Sequence, residues 1–189
     1  METNELRIGW QRGAIDLPTR NRGQADEHEN LLANLRVCLI SSNSFACNTI
    51  KQMLQSVGMS GGTEYRSFKD AGQGVRERKF DLMIIDSGGD DAATMDFIGY
   101  VRASMDDTLS CIPIIAVVDG TDLDQIRKVR DHGVNAILLR PFSAKGLMAR
   151  VGKVLNRSAS FIRSGRYIGP CRRAPRRELK SAGEERRAA

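Results

Sequence analysis

Three segments of this chain are nearly unbroken runs of branched apolar residues, and they decide what it can fold into. They are Leu82-Met83-Ile84-Ile85, Ile112 to Val118 with Pro113 near its start, and Ala136-Ile137-Leu138-Leu139. A fourth run, Leu35 to Ile40, is broken only by Arg36. A strand with one wet face alternates apolar and polar residues; a run with no polar face has to be covered on both sides. The covers lie between the runs. Phe45, Ile50, Met53, Leu54 and Val57 recur at helical spacing after the N-cap candidates Ser42, Asn43 and Ser44, and Gly58 stops the pattern. Ala92 to Met105 repeats the pattern through Met95, Phe97, Ile98 and Val101. Leu123 to His132 is closed by Gly133, and Ser143 opens a last helix through Leu147, Val151, Val154 and Leu155. Thr63 to Phe68 reads as a weak strand, and Asp70 to Lys79 as a polar helix weakened by Gly72 and Gly74. Five strand–helix units between Leu35 and Leu155 predict an α/β fold, a doubly wound five-stranded parallel sheet.

The 189 residues therefore divide into an N-terminal arm (1–34), one domain (35–156) and a tail (157–189). The net charge of +6 is unevenly placed: −2 through Asn34, +1 over 35–156 and +7 from Arg157 on. The arm has scattered charges and no hydrophobic period, which predicts a flexible segment whose Trp10 either docks or stays solvated. The tail predicts a solvated, disordered extension. Its arginine pairs support only weak, sequence-blind contact with nucleic acid, with Kd about 10⁻⁴–10⁻⁶ M. Cys38, Cys47, Cys111 and Cys171 lack C-x-x-C spacing, and with two histidines no zinc pattern exists. Cys38 and Cys47 read as small buried thiols. No apolar run is long enough to span a membrane and the first residues carry no secretory signal, so a cytoplasmic protein without membrane contact is expected.

In an open parallel sheet, ligands bind beyond the carboxyl ends of the strands. There stand Ser41 and Ser42 after the first strand, and Asp86, Ser87, Gly88 and Gly89 after the third. Asp119 and Gly120 follow the fourth, and Arg140 and Pro141 the fifth. An acid on one strand end and a guanidinium on another make either an ion pair or a site. No Gly-rich loop follows the first strand, which argues against a flavodoxin-like cofactor protein of the same architecture.

Asp86 ending a strand, Pro113 opening the next, and Arg140-Pro141-Phe142 after the last resemble the receiver domain of bacterial two-component response regulators. The resemblance covers Leu35 to Leu155. It implies a (βα)5 protein that is not an enzyme and works by protein contact, as a stand-alone regulator. Its partners would be a histidine kinase, a phosphotransferase or a downstream effector. It also implies that Asp86 is the phosphoacceptor and that Arg140 contacts the phosphoryl or carboxylate. The metal candidates are Asp86 and Gly88.

The departures from that pattern change the expectation. Ser41 and Ser42 stand where the family holds Mg²⁺ with an acidic pair; Val118 replaces its hydroxyl residue and Ile137 its switch aromatic. Mg²⁺ usually takes one or two carboxylates plus phosphate oxygens, and neutral hydroxyls substitute poorly. The sequence therefore predicts a weakened Mg²⁺ site, with Arg140 gripping Asp86 bidentately. A phosphorylation-independent pseudo-receiver is the alternative reading, and a nucleic-acid-associated protein acting through the tail a further one. The partner surface is expected at Arg127, Arg130, Ile137 and Lys153, an apolar centre with a cationic rim facing an acidic partner.

Overall fold

The computed structural model describes residues 4–6, 32–89, 91–120, 123–156, 161–164 and 167–172. Its elements run β1 (Asn4–Leu6), β2 (Val37–Ile40), α1 (Ser44–Gln55), β3 (Thr63–Tyr65), α2 (Phe68–Glu77), β4 (Leu82–Asp86) and α3 (Asp91–Arg102). There follow α4 (Asp107–Ser110), β5 (Ile114–Asp119), α5 (Leu123–Asp131), β6 (Ala136–Arg140), α6 (Ala144–Asn156), β7 (Phe161–Ser164) and β8 (Tyr167–Pro170). The five strands the sequence predicts are β2 to β6. They form one parallel sheet in the order β3-β2-β4-β5-β6, so the chain reverses its winding direction at β2.

Strand alternation divides the interior in two. Val37, Leu39, Leu82, Ile84, Ile115, Val117 and Leu138 face one way, onto Ile50 and Leu54 of α1 and Leu147 and Val151 of α6. Cys38, Ile40, Met83, Ile85, Ile114, Ala116 and Val118 face the other, onto α2, α3 and α5. Along β2, β4 and β5 up to Val118 each residue thus reaches one of two cores and is buried, which is why those strand sequences are apolar throughout, whereas the edge strands β3 and β6 are partly exposed. Cys38, Cys47 and Cys111 are buried free thiols; burial pushes Cys38 up to about 12 and Cys47 up to about 11. No helix among the described residues is long and apolar enough to cross a membrane.

Local departures from the sequence reading have local causes. The second strand stops at Tyr65 because Ser67 caps α2, its hydroxyl accepting the Asp70 N–H at 3.1 Å. Gly74 does not weaken α2 uselessly: a Cβ there would lie 2.0 Å from the Tyr65 hydroxyl oxygen. The single turn α4 had no periodic signal; Asp106 caps it by accepting the Thr108 N–H at 2.8 Å. At the amino end of the sheet, Asp81 is buried and accepts three bonds from Arg36, from its backbone N–H, Nε and Nη2, each at 3.0 Å.

The largest correction concerns the segments assigned to the arm and the tail. Strands β7 and β8 form an antiparallel hairpin, and β1 pairs with β7, Leu6 opposite Phe161. This second sheet is fastened by Arg102, to which the sequence reading assigns no role. Arg102 is fully buried and has no carboxylate partner among the described residues. It donates to the carbonyls of Gly133 (2.9 Å), Ser110 and Ile112 (both 2.8 Å), and to Asn135 Oδ1 (2.9 Å). The Phe161 ring covers it, 5.1 Å from guanidinium carbon to ring centroid. Burial pulls its pKa down to about 9, which leaves it charged at neutral pH. Gly133 closes the joint: it has φ +96°, and a Cβ there would meet the Ile168 carbonyl oxygen at 2.4 Å. Trp10, Asp90 and the arginine pairs beyond Arg172 lie outside the described residues.

Replacing Arg102 by Met keeps most of the side-chain volume but removes a buried donor from three carbonyls and from Asn135 Oδ1, which keeps only the Ile114 N–H. Stability should fall by about 2–4 kcal/mol. Urea titration measures it, and an unchanged midpoint would contradict the fastening role.

Candidate functional site

The alternation that sorts the core also builds the site. Counting by twos, Val37 and Leu39 lead to Ser41; Leu82 and Ile84 lead to Asp86; Ile115 and Val117 lead to Asp119; Leu138 leads to Arg140. All four continue the rows that face α1 and α6. They form one polar layer where those apolar rows end, beside the point where the sheet reverses its winding.

Asp86 is the centre of that layer, and its side chain is wholly buried. Oδ2 accepts a bond from the Ser41 hydroxyl at 2.9 Å. Oδ1 accepts the Gly88 N–H at 3.2 Å and also bonds Arg140 Nη2. Ser41 is itself held in place, its Oγ accepting the Asn43 N–H at 3.1 Å. Asn43 in turn caps α1, its Oδ1 accepting from Phe45 and Ala46. The cap, the serine and the carboxylate are thus linked in one chain of bonds. Ser42 stands over Gly88, where a Cβ would lie 3.0 Å from the Ser42 Oγ.

Arg140 does not grip Asp86 with its whole fork, as the sequence reading expected. The guanidinium divides, Nη2 to Asp86 and Nη1 to Asp119 Oδ1 at 3.2 Å. The reason is register: Asp119 and Arg140 are direct partners across β5 and β6. Burial opposes the Arg140 charge, but the two carboxylates outweigh it, and its pKa is raised. Arg140 thus answers two carboxylates with one cation.

Of the other residues singled out by sequence, Val118 is fully buried among the α2, α3 and α5 contacts. It lies one position out of step with the site row. Ile137 is likewise out of step and packs on the same side. Arg130, Ile137 and Lys153 share a groove along β6, which Arg127 does not line. Arg127 pairs with Asp124 at 3.0 Å, and Arg130 Nε with Asp131 at 2.8 Å. The sequence reading did not assign Asp119 a role, although counting by twos from Ile115 finds it.

For a divalent metal, the described residues next to Asp86 and the Gly88 backbone are the neutral hydroxyls of Ser41 and Ser42, while Asp119 is tied to Arg140. No cluster of three or more His, Cys, Asp or Glu side chains suited to a metal exists among the described residues. One carboxylate already bonded to a guanidinium is a poor donor set for a hard dication.

The chain is similar to known proteins over this domain. It is 24% identical over 123 residues to the chemotaxis protein CheY of Pseudomonas aeruginosa, covering 65% of this chain and 98% of that protein. CheY-3 of Vibrio cholerae matches at 22% over 124 residues, 66% of this chain and 94% of that protein. Among solved structures, the receiver domain of a Pseudomonas aeruginosa sensor histidine kinase has magnesium coordinated in its active-site cleft. It superposes with a TM-score of 0.59 at 19% identity, covering 66% of this chain and all of that one. CheY4 of Vibrio cholerae superposes at 0.57 and 19%, covering 64% and 98%. No protein-family profile matches the chain. The fold from Leu35 to Leu155 is that of a response-regulator receiver domain.

Because the Asp86 side chain is wholly buried, Arg140→Ala should destabilise the protein by about 1–3 kcal/mol, the cost of an unpaired buried charge. Adding Asp86→Asn should recover part of the loss, since no charge is then left alone. Denaturant midpoints of the two single variants and the double variant test the coupling; strict additivity would deny it.

Proposed function

We propose that this chain is a response-regulator receiver protein of a two-component pathway. It works through protein–protein contact, with its Asp86 site held in one charge-neutralised state and not cycled by metal and phosphoryl. The observation that carries this reading is the engagement of both Asp86 oxygens by Ser41, Gly88 and Arg140. Phosphoryl transfer to a carboxylate requires a free oxygen in line with the donor, and cations to neutralise the charge on the equatorial oxygens. Here the nearest cation is committed to two carboxylates, and the hydroxyls at Ser41 and Ser42 add no negative charge to hold Mg²⁺. The Mg²⁺ site is thereby weakened. Val118 and Ile137 offer neither a hydroxyl nor a ring to register a modified Asp86.

A second reading, with Asp86 as phosphoacceptor, is favoured by one specific feature. The carboxylate ends β4 at the reversal of the sheet, with a guanidinium on the neighbouring strand end. On either reading the protein acts on a histidine kinase, a phosphotransferase or an effector in the cytoplasm. Arg130, Ile137 and Lys153 form part of the surface presented, with Arg127 on its margin.

The two readings part on intact mass after incubation with acetyl phosphate and Mg²⁺. The wild-type chain should stay unmodified, and Ser41→Asp with Ser42→Asp should bind Mg²⁺ more tightly by calorimetry. A gain of one phosphoryl group by the wild type, abolished by Asp86→Asn, would overturn the fixed-site reading in favour of the second.

A further inference from the structure

A groove of 430 Å³ runs beside the outer strand of the sheet, between α5 and α6, and Pro170, Cys171 and Arg172 also line it. Its floor is apolar: Ile126, Val134, Ile137 and Val154. Among the described residues, four cations, Arg130, Arg150, Lys153 and Arg172, line it, and no carboxylate does. Arg130 is partly answered by Asp131 outside the lining. Arg150 and Lys153 have no carboxylate partner among the described residues. Arg172 is placed by the fold, because its Nη2 bonds the Arg130 carbonyl and, at 3.3 Å, the Val134 carbonyl. That anchorage uses neutral acceptors, and no carboxylate forms a salt bridge with Arg172 among the described residues, although its charge also acts on nearby Asp131.

Binding pockets for small molecules are typically about 300–1,000 Å³, mostly apolar, with a few polar groups that orient the ligand. This groove has that size and lining, and its polar groups carry one sign of charge. Guanidinium forks match carboxylate and phosphate oxygens in pairs, and an apolar floor adds affinity in proportion to the area it covers.

We propose that this groove binds a small amphiphilic anion, an apolar body on Ile137 and Val154 with a phosphate or carboxylate head held by Arg150, Lys153 and Arg172. The C-terminal segment is then part of a ligand site. The site is separate from Asp86 and stands whichever reading of Asp86 holds.

Octyl phosphate, octanoate, octanol and inorganic phosphate serve as probes in calorimetric titrations of the full chain, with backbone amide NMR shifts reporting position. Octyl phosphate or octanoate should bind one to one below about 1 mM, with shifts confined to α5, β6, α6 and Pro170–Arg172. Comparing the two assigns the head as phosphate or carboxylate. Octanol and inorganic phosphate should bind far more weakly, since each lacks one half of the match. Lys153→Ala and Arg172→Ala should each weaken binding about tenfold, whereas Lys69→Ala, on α2, should not. Equal binding by all variants would overturn the assignment, as would octanol binding as well as either anion. So would no binding of either anion while an acidic peptide binds the groove.

Discussion

The three inner strands of the main sheet, β2, β4 and β5, are covered on both faces, and the rest of the molecule follows from that condition. A polar side chain cannot sit along Leu82–Ile85 or Ile114–Val118 without entering one of the two cores. Polar chemistry is therefore displaced to the strand ends, where each row of side chains leaves its core. The row facing α1 and α6 ends in Ser41, Asp86, Asp119 and Arg140, so those four meet. The opposite row ends in residues that stay apolar, and Val118 and Ile137 remain with the core that α2, α3 and α5 cover. The site is a boundary layer of one core, and its composition is set by which parity each strand end carries.

That parity was written in the sequence, and it explains what was read and what was missed. Asp86 and Arg140 were legible because each ends an apolar run. Asp119 ends one too, but its role depends on facing Arg140 across the ladder, which needs strand register as well as strand position. The division of the Arg140 fork is a consequence of the same register. Arg102 was illegible for a different reason. An arginine in the last turn of a helix reads as a dipole partner in water. Only the folding of two separate stretches around it, one with Ser110 and Ile112 and the other with Gly133 and Asn135, makes it a buried hub. The hairpin it fastens was hidden by length: four-residue strands containing Gly169 and Pro170 carry no alternation that a sequence can reveal.

Arg140 and Mg²⁺ would solve the same problem, neutralising a buried carboxylate, with different physics. A dication held by several carboxylates is exchangeable and leaves coordination positions for an incoming group. A guanidinium is tethered, carries a single charge, and spends its donors in fixed directions. Beside Asp86 the neutral Ser41 hydroxyl adds no like-charge repulsion that would call for a metal. What remains between Ser41, Asp86, Arg140 and Asp119 is closed by hydrogen bonds on each side. The neutral hydroxyl at Ser41 and the burial of Asp86 are thus two aspects of one electrostatic arrangement.

Strand β6 belongs to both regions of interest. Its end carries Arg140 into the carboxylate layer, while Ile137 on the opposite parity faces the cationic groove. In a sheet held by regular ladder bonds, moving one end of a strand moves its neighbours in the same ladder. A β6 pinned at Arg140 by two carboxylates, and flanked at its start by Arg172 on the Val134 carbonyl, has little freedom to slide. The surface around Ile137 is therefore held in one arrangement from both directions. A fixed Asp86 site and a preformed groove are consistent with each other: both follow from an outer strand whose two ends are tied by arginines to different parts of the fold.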